Sequence, residues 1–162
     1  MDEVNIYLYT TIKGPGKKPG ALIYILELKT YKGPVTLTKA EPLEDATAHQ
    51  AELKALIEAL KHLNRQCNLS IYTDSDYLAA AFKQGWLENW IKNGWKNSKG
   101  EPVANMSEWQ ETLNLLGLNT FEFHVKREHS YYRWMRMEAE KNDKERVIDA
   151  KNNAKKRKEK TL

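Results

Sequence analysis

The run Leu69-Ser70-Ile71-Tyr72-Thr73 ends on a carboxylate, Asp74, and helix-favouring residues follow at once through Tyr77, Leu78 and Phe82. A β-type run that stops on an acid and gives way to a helix aims that acid off the end of a sheet. In open α/β sheets this edge is where ligands sit. Behind it, residues 86–109 interleave four tryptophans with lysines and asparagines. Cations suit phosphates and aromatic rings suit sugars or bases, so this segment has the materials of a nucleic-acid grip. Because the two features adjoin, the chain reads as carrying an acidic, metal-type site beside a nucleic-acid surface.

The flanking pattern defines the architecture. Val4–Thr10 alternates Val4, Ile6 and Leu8 with Asn5, Tyr7 and Tyr9, the period of a strand. Ala21–Thr30 and Val35–Ala40 are further strands, linked by the turn-rich Ile12–Gly20 and Lys32-Gly33-Pro34. Short links of this kind predict an antiparallel meander. Thr47–Arg65 then places Leu53, Leu56, Ile57, Leu60 and Leu63 on one helical stripe, with Thr47 and Gln50 spaced for a capping box. The Leu69–Thr73 strand arrives after a helix and is expected to be parallel to its neighbour. A helix over Ser75–Gln84 follows, with Asp74 a candidate N-cap. A second capping-box match, Ser107 with Gln110, predicts a helix through Leu116. Thr120–Val125 is the fifth strand, and a long polar helix starts near Tyr131. The order is β-β-β-α-β-α-α-β-α, an α/β class with no internal repeat.

Composition narrows the setting. At 162 residues one domain is the economical reading, taken as residues 1–150, with 151–162 a basic C-terminal tail. The last twelve residues hold six Lys/Arg against one Glu, so the net charge of +4 resides in the tail and local patches. No apolar run approaches the ~20 residues of a membrane span. The acidic start Met1-Asp2-Glu3 does not resemble a secretory signal, and the single cysteine, Cys67, excludes an internal disulfide and suits a reducing compartment. A cytoplasmic monomer is expected.

The blocks TAHQAELKALIEALKHL, IYTDSDYL, WLENWIKNGWKNSKGEPVANMSEWQ and FEFHVK resemble type 1 ribonuclease H over nearly the whole chain, from Asn5 to about Ala139. The resemblance implies a five-stranded mixed sheet flanked by helices. It also implies cleavage of the RNA strand of an RNA–DNA hybrid, with Mg²⁺ or Mn²⁺ held by four carboxylates. Two hard cations about 4 Å apart can activate a water and stabilise a leaving oxygen. Matched position by position, Glu52 is the helix acid and Asp74 the strand-end acid, while ungapped counting from Val125-Lys126 places Glu138 as the acid of the last helix. The first-strand acid is missing: Thr10 (or Thr11) stands in its place, and a neutral hydroxyl cannot replace that charge. Asp2 and Glu3 lie at the wrong end of the strand, roughly 20 Å away at strand rise, and Asp76 begins a helix. The loop Lys126–Tyr132 carries His129 but no glycine, unlike the family's mobile glycine-rich loop.

The grip is better preserved. Trp86, Trp90 and Trp95 with Lys92, Lys96 and Lys99 resemble the family's basic handle. Thr47 matches a phosphate-contacting threonine, and Lys13, Lys17 and Lys18 add candidate phosphate contacts. Trp109, behind a helix start, reads as core. The expectation is therefore a domain that binds RNA–DNA hybrid or a related duplex, with hydrolysis weak or lost. The alternatives are an active metal-dependent hybrid endoribonuclease and a non-enzymatic protein-interaction module.

Overall fold

The computed structural model describes the chain through Lys160, and its side chains through Lys158. Five strands, β1 (Asp2–Thr10), β2 (Lys18–Thr30), β3 (Gly33–Ala46), β4 (Cys67–Thr73) and β5 (Thr120–Val125), form one sheet in the order β3-β2-β1-β4-β5. β1 and β2 pair antiparallel, as do β2 and β3; β4 runs parallel to both β1 and β5. The expected mixed sheet, with its meander followed by parallel strands, is the one observed.

Helices cover both faces. Val4, Ile6 and Leu8 of β1 join α1 (Ala48–Leu60) in the larger core, together with Leu22, Leu56 and Trp109. Tyr7 and Tyr9 point the other way and pack with Ile23, Ile25, Met135 and Ala139 beneath α5 (Tyr132–Lys160). The alternation of β1 thus feeds two cores, and its polar-looking face is as buried as its aliphatic one: Tyr7 is 5% and Tyr9 7% exposed.

Several boundaries differ from the sequence expectation. β2 begins at Lys18 rather than Ala21, with an irregular register between Lys18 and Gly20. β3 continues to Ala46, because an edge strand needs partners on one side only and tolerates Pro34 and Pro42. α1 stops at Leu60, five residues before Arg65. The tryptophan segment contains an additional helix, α3 (Trp86–Lys92), separated from α2 (Asp76–Lys83) by Gly85 at φ 71. A left-handed residue ends one helix and redirects the next, and glycine takes that conformation without a Cβ penalty. α4 (Met106–Leu116) starts behind Asn105 at φ 60, so Ser107 is already inside the helix and does not cap it. A buried anchor fixes this start: Trp109 donates its indole N–H to the Tyr77 hydroxyl at 2.8 Å, and Asn105 reaches the same oxygen at 3.4 Å. Trp109 is fully buried, as its sequence position implied. No described helix is long and apolar enough to cross a membrane.

Candidate active site and nucleic-acid surface

β3 ends opposite Lys18, so α1 starts at the end of the sheet where β1 and β4 also finish. The capping box fixes that start. The Gln50 amide donates to the Thr47 hydroxyl at 3.1 Å, and the Thr47 amide donates to the Gln50 side chain at 3.0 Å. Thr47 is half-buried here, and the cap uses its hydroxyl as an acceptor.

Glu52 and Asp74 meet in one cleft of about 270 Å³, with Lys13, His49, Asp76 and Tyr77 along its walls. Glu52 is buried, 6% exposed, and accepts a hydrogen bond from the Thr73 hydroxyl at 2.9 Å. The same hydroxyl accepts the Ser75 amide at 3.0 Å, tying the strand end to the acid. Burial pushes Glu52 up from 4.5 to about 7; the Thr73 bond and the Lys13 charge pull it down, and Asp74 pushes it up further. Ser75, not Asp74, caps α2. Released from capping, Asp74 accepts the Tyr132 hydroxyl at 2.9 Å across 58 residues of sequence. Burial first, and then that bond, push the Tyr132 phenol up to about 12, so it stays a donor. Asp76 pairs with Lys126 at 2.8 Å, an exposed bridge beside the two acids.

Thr10 is 1% exposed, and its hydroxyl is the one buried side-chain polar atom among the described residues without a hydrogen-bond partner. Buried polar atoms are rarely left so. Thr11 is engaged, accepting the Ala21 amide at 2.9 Å. Lys13 stands 4.9 Å over the Tyr9 ring and within electrostatic reach of Glu52. Glu138 is half-buried on α5 and is not among the residues lining the cleft. On α5 it is Arg136 and Glu140 whose charges reach Tyr9: burial raises the Tyr9 phenol, Arg136 lowers it, and Glu140, Asp74 and Glu52 each raise it. Glu140 is paired with Arg136 at 3.1 Å. The available signal for it was helical spacing, because Tyr132, Arg136 and Glu140 recur every four residues on one row.

A pair of divalent cations requires several converging anionic oxygens. Here the first strand offers a hydroxyl, Arg136 occupies Glu140, and Lys13 already places a cation near Glu52. No group of three or more His, Cys, Asp or Glu among the described residues is placed to hold a metal.

The handle is built outward from the core. Trp90 lies 6.0 Å from Trp109, and Trp86 and Trp95 each lie 6.2 Å from Trp90, all three half-buried. Trp95 takes φ 62, which turns the chain into a tight loop where Lys96 bridges Pro102. The Asn97 side chain accepts the amides of Lys99 and Glu101 at 2.9 and 3.1 Å. Lys92, Lys96 and Lys99 are thereby displayed in solvent on an ordered support. Lys17 is exposed on the β1–β2 loop and lines a separate cleft against β3 and α1. At the cleft mouth His49 stacks on Tyr77, ring centroids 3.7 Å apart and 3° from parallel, a pairing with no sequence signature. The loop before α5 is anchored: His129 packs 4.5 Å from Tyr7 and accepts the Tyr131 amide at 3.2 Å.

A five-stranded mixed sheet with an acid pair at one end and a tryptophan-lysine handle beside it defines an α/β domain of nuclease type. The RNase H family model matches residues 10–144, and the chain belongs to that family. A ribonuclease H of Caldicellulosiruptor saccharolyticus is 40% identical over 131 residues, covering 80% of this chain and 86% of that protein. Among solved structures, LC9-RNase H1, a type 1 RNase H with the type 2 active-site motif, superposes with a TM-score of 0.72 at 21% identity. That match covers 88% of this chain and 72% of the other. The foamy viral protease-reverse transcriptase in complex with RNA/DNA hybrid gives a TM-score of 0.61 at 22% identity, over 89% of this chain and 19% of the other.

Proposed function

We propose that this protein binds RNA–DNA hybrid through the cleft and the handle, and that its hydrolytic activity is strongly reduced. The observation that carries this is the Thr10 hydroxyl, buried and unpartnered at the strand end where the resemblance to type 1 ribonuclease H implies a metal-bridging carboxylate, at Thr10 or Thr11. Family membership supports the binding half, as do Glu52 and Asp74 lining one cleft and the exposed Lys92, Lys96 and Lys99. Each 1.36 kcal/mol added to a barrier costs about tenfold in rate, so loss of one bridging ligand removes most turnover.

A second reading, an active Mg²⁺- or Mn²⁺-dependent endoribonuclease, is favoured by the relatives named ribonuclease H at about 40% identity. Hybrid cleavage measured in Mg²⁺ and Mn²⁺ separates the two. Robust wild-type cleavage abolished by Asp74→Asn refutes the first reading. Cleavage gained by Thr10→Asp or Thr11→Asp, over a near-inactive wild type, supports it and shows which threonine stands for the acid. Absence of hybrid binding at low salt would favour a protein-interaction module instead.

A further inference from the structure

Charge is segregated along α5. From Tyr132 to Asp149 the helix carries five cations and five acids, and the structure pairs some of them, Arg136 with Glu140 and Arg146 with Asp143. From Ala150 to Lys158 it carries five cations and no acid. Among the described residues no carboxylate forms an ion pair with Lys151, Lys155 or Lys156. All of 150–158 is exposed. The helix touches the sheet edge last around Pro42, where Asn142, Arg146 and Asn153 line a shallow cavity. Beyond Asn153 it runs about 10 Å further at helical rise.

We propose that residues 151–158 form a second phosphate-binding surface for duplex nucleic acid, distinct from the cleft and the handle; this rests on the hybrid-binding reading. Pro42 pairs with Ala21, and Ala21 bonds Thr11, so the arm leaves the domain at the end of the sheet that carries Glu52 and Asp74. The arm therefore starts from the same end of the sheet as the cleft, on the α5 face and at the β3 edge. Glu44 and Asp45 of β3 lie beside the Lys17 cleft and not on the arm, which separates the two cationic groups.

The arm has no apolar face. Its sequence, KNNAKKRK, offers a single alanine, whereas helices that lie on membranes or dock in protein grooves need an apolar stripe. A polyanion is the partner this surface can satisfy. Cations in a last helical turn are favoured by the macrodipole alone. That accounts for the residues nearest Lys160 but not for Lys151, more than two turns further in. Lys151 and Lys155 are like charges at helical neighbour spacing and repel. Phosphates between them relieve that repulsion, so binding should raise helicity.

The test is the full chain carrying K151Q, K155Q, K156Q, R157Q and K158Q, since glutamine keeps helix propensity while removing charge. Anisotropy titrations use an RNA–DNA hybrid and a DNA duplex of the same sequence across a KCl series. Each phosphate contact contributes about 0.9 to the slope of log K against log salt, so the slope should fall by about 3 to 4. Low-salt affinity should fall at least about tenfold, equally for both duplexes, because phosphate contacts carry no sequence or sugar information. Wild-type helicity by circular dichroism should rise on duplex addition, and the variant's should not. Retained binding with an unchanged slope overturns the arm and leaves the hybrid reading standing. A loss confined to the hybrid also overturns it. A wild type that binds neither duplex at low salt sinks both.

Discussion

Replacing Glu52 by glutamine isolates the cost of holding a carboxylate inside this domain. Glu52 is buried, and its pKa is raised from 4.5 to about 7, chiefly by burial. A carboxyl raised on folding loses stability as pH increases: below 4.5 it is protonated in both states, and above that the unfolded chain ionises first. The folded state therefore weakens between about pH 4.5 and 7 and levels off beyond. At about 1.4 kcal/mol per pKa unit the full difference is about 3 kcal/mol. Glutamine keeps an acceptor for the Thr73 hydroxyl, now bonded to Glu52 at 2.9 Å, and nearly the same shape. The variant should match the wild type near pH 4.5 and exceed it by about 2–3 kcal/mol at pH 8. For a domain of this size that is roughly 5–10 °C in Tm. Calorimetry in metal-free buffer from pH 4.5 to 8.5 reads the difference directly. A gap that does not widen with pH, or a glutamine variant less stable at pH 8, would show that burial of the charge is not what the structure implies.

Other outcomes follow from the same geometry. A Cβ added at Gly20 would lie 2.6 Å from Ile12 Cγ1 and 2.7 Å from the Thr11 hydroxyl, so Gly20→Ala should cost about 1–3 kcal/mol in urea unfolding. Trp90→Ala removes the ring that links Trp109 to Trp86 and Trp95, and should cost about 2–3 kcal/mol and weaken hybrid binding together. Millimolar Mg²⁺ should barely move the wild-type Tm, while Thr10→Asp, destabilised without metal, should regain stability on Mg²⁺ addition. Tyr132→Phe removes the hydroxyl that Asp74 accepts at 2.9 Å, and should cost about 1 kcal/mol without disturbing the far-UV spectrum.

Much of this protein is written in local pattern. The alternation of Val4–Thr10, the Thr47–Gln50 capping box, the stripe of α1 and the acid closing Leu69–Thr73 each depend on residues a few places apart. Strand and helix periods are properties of such short windows, so the sheet, every helix but α3, and the places of Glu52 on α1 and Asp74 behind β4 could be read from the chain alone. What contact across the fold decided is of another kind. That Tyr132 rather than a cap engages Asp74, that Trp109 and Tyr77 set the start of α4, that Arg136 and Glu140 act on Tyr9 from α5, and that the Thr10 hydroxyl is left alone all depend on remote segments. Solvation and partnering belong to the space around an atom, and only packing the sheet between α1 and α5 defines that space.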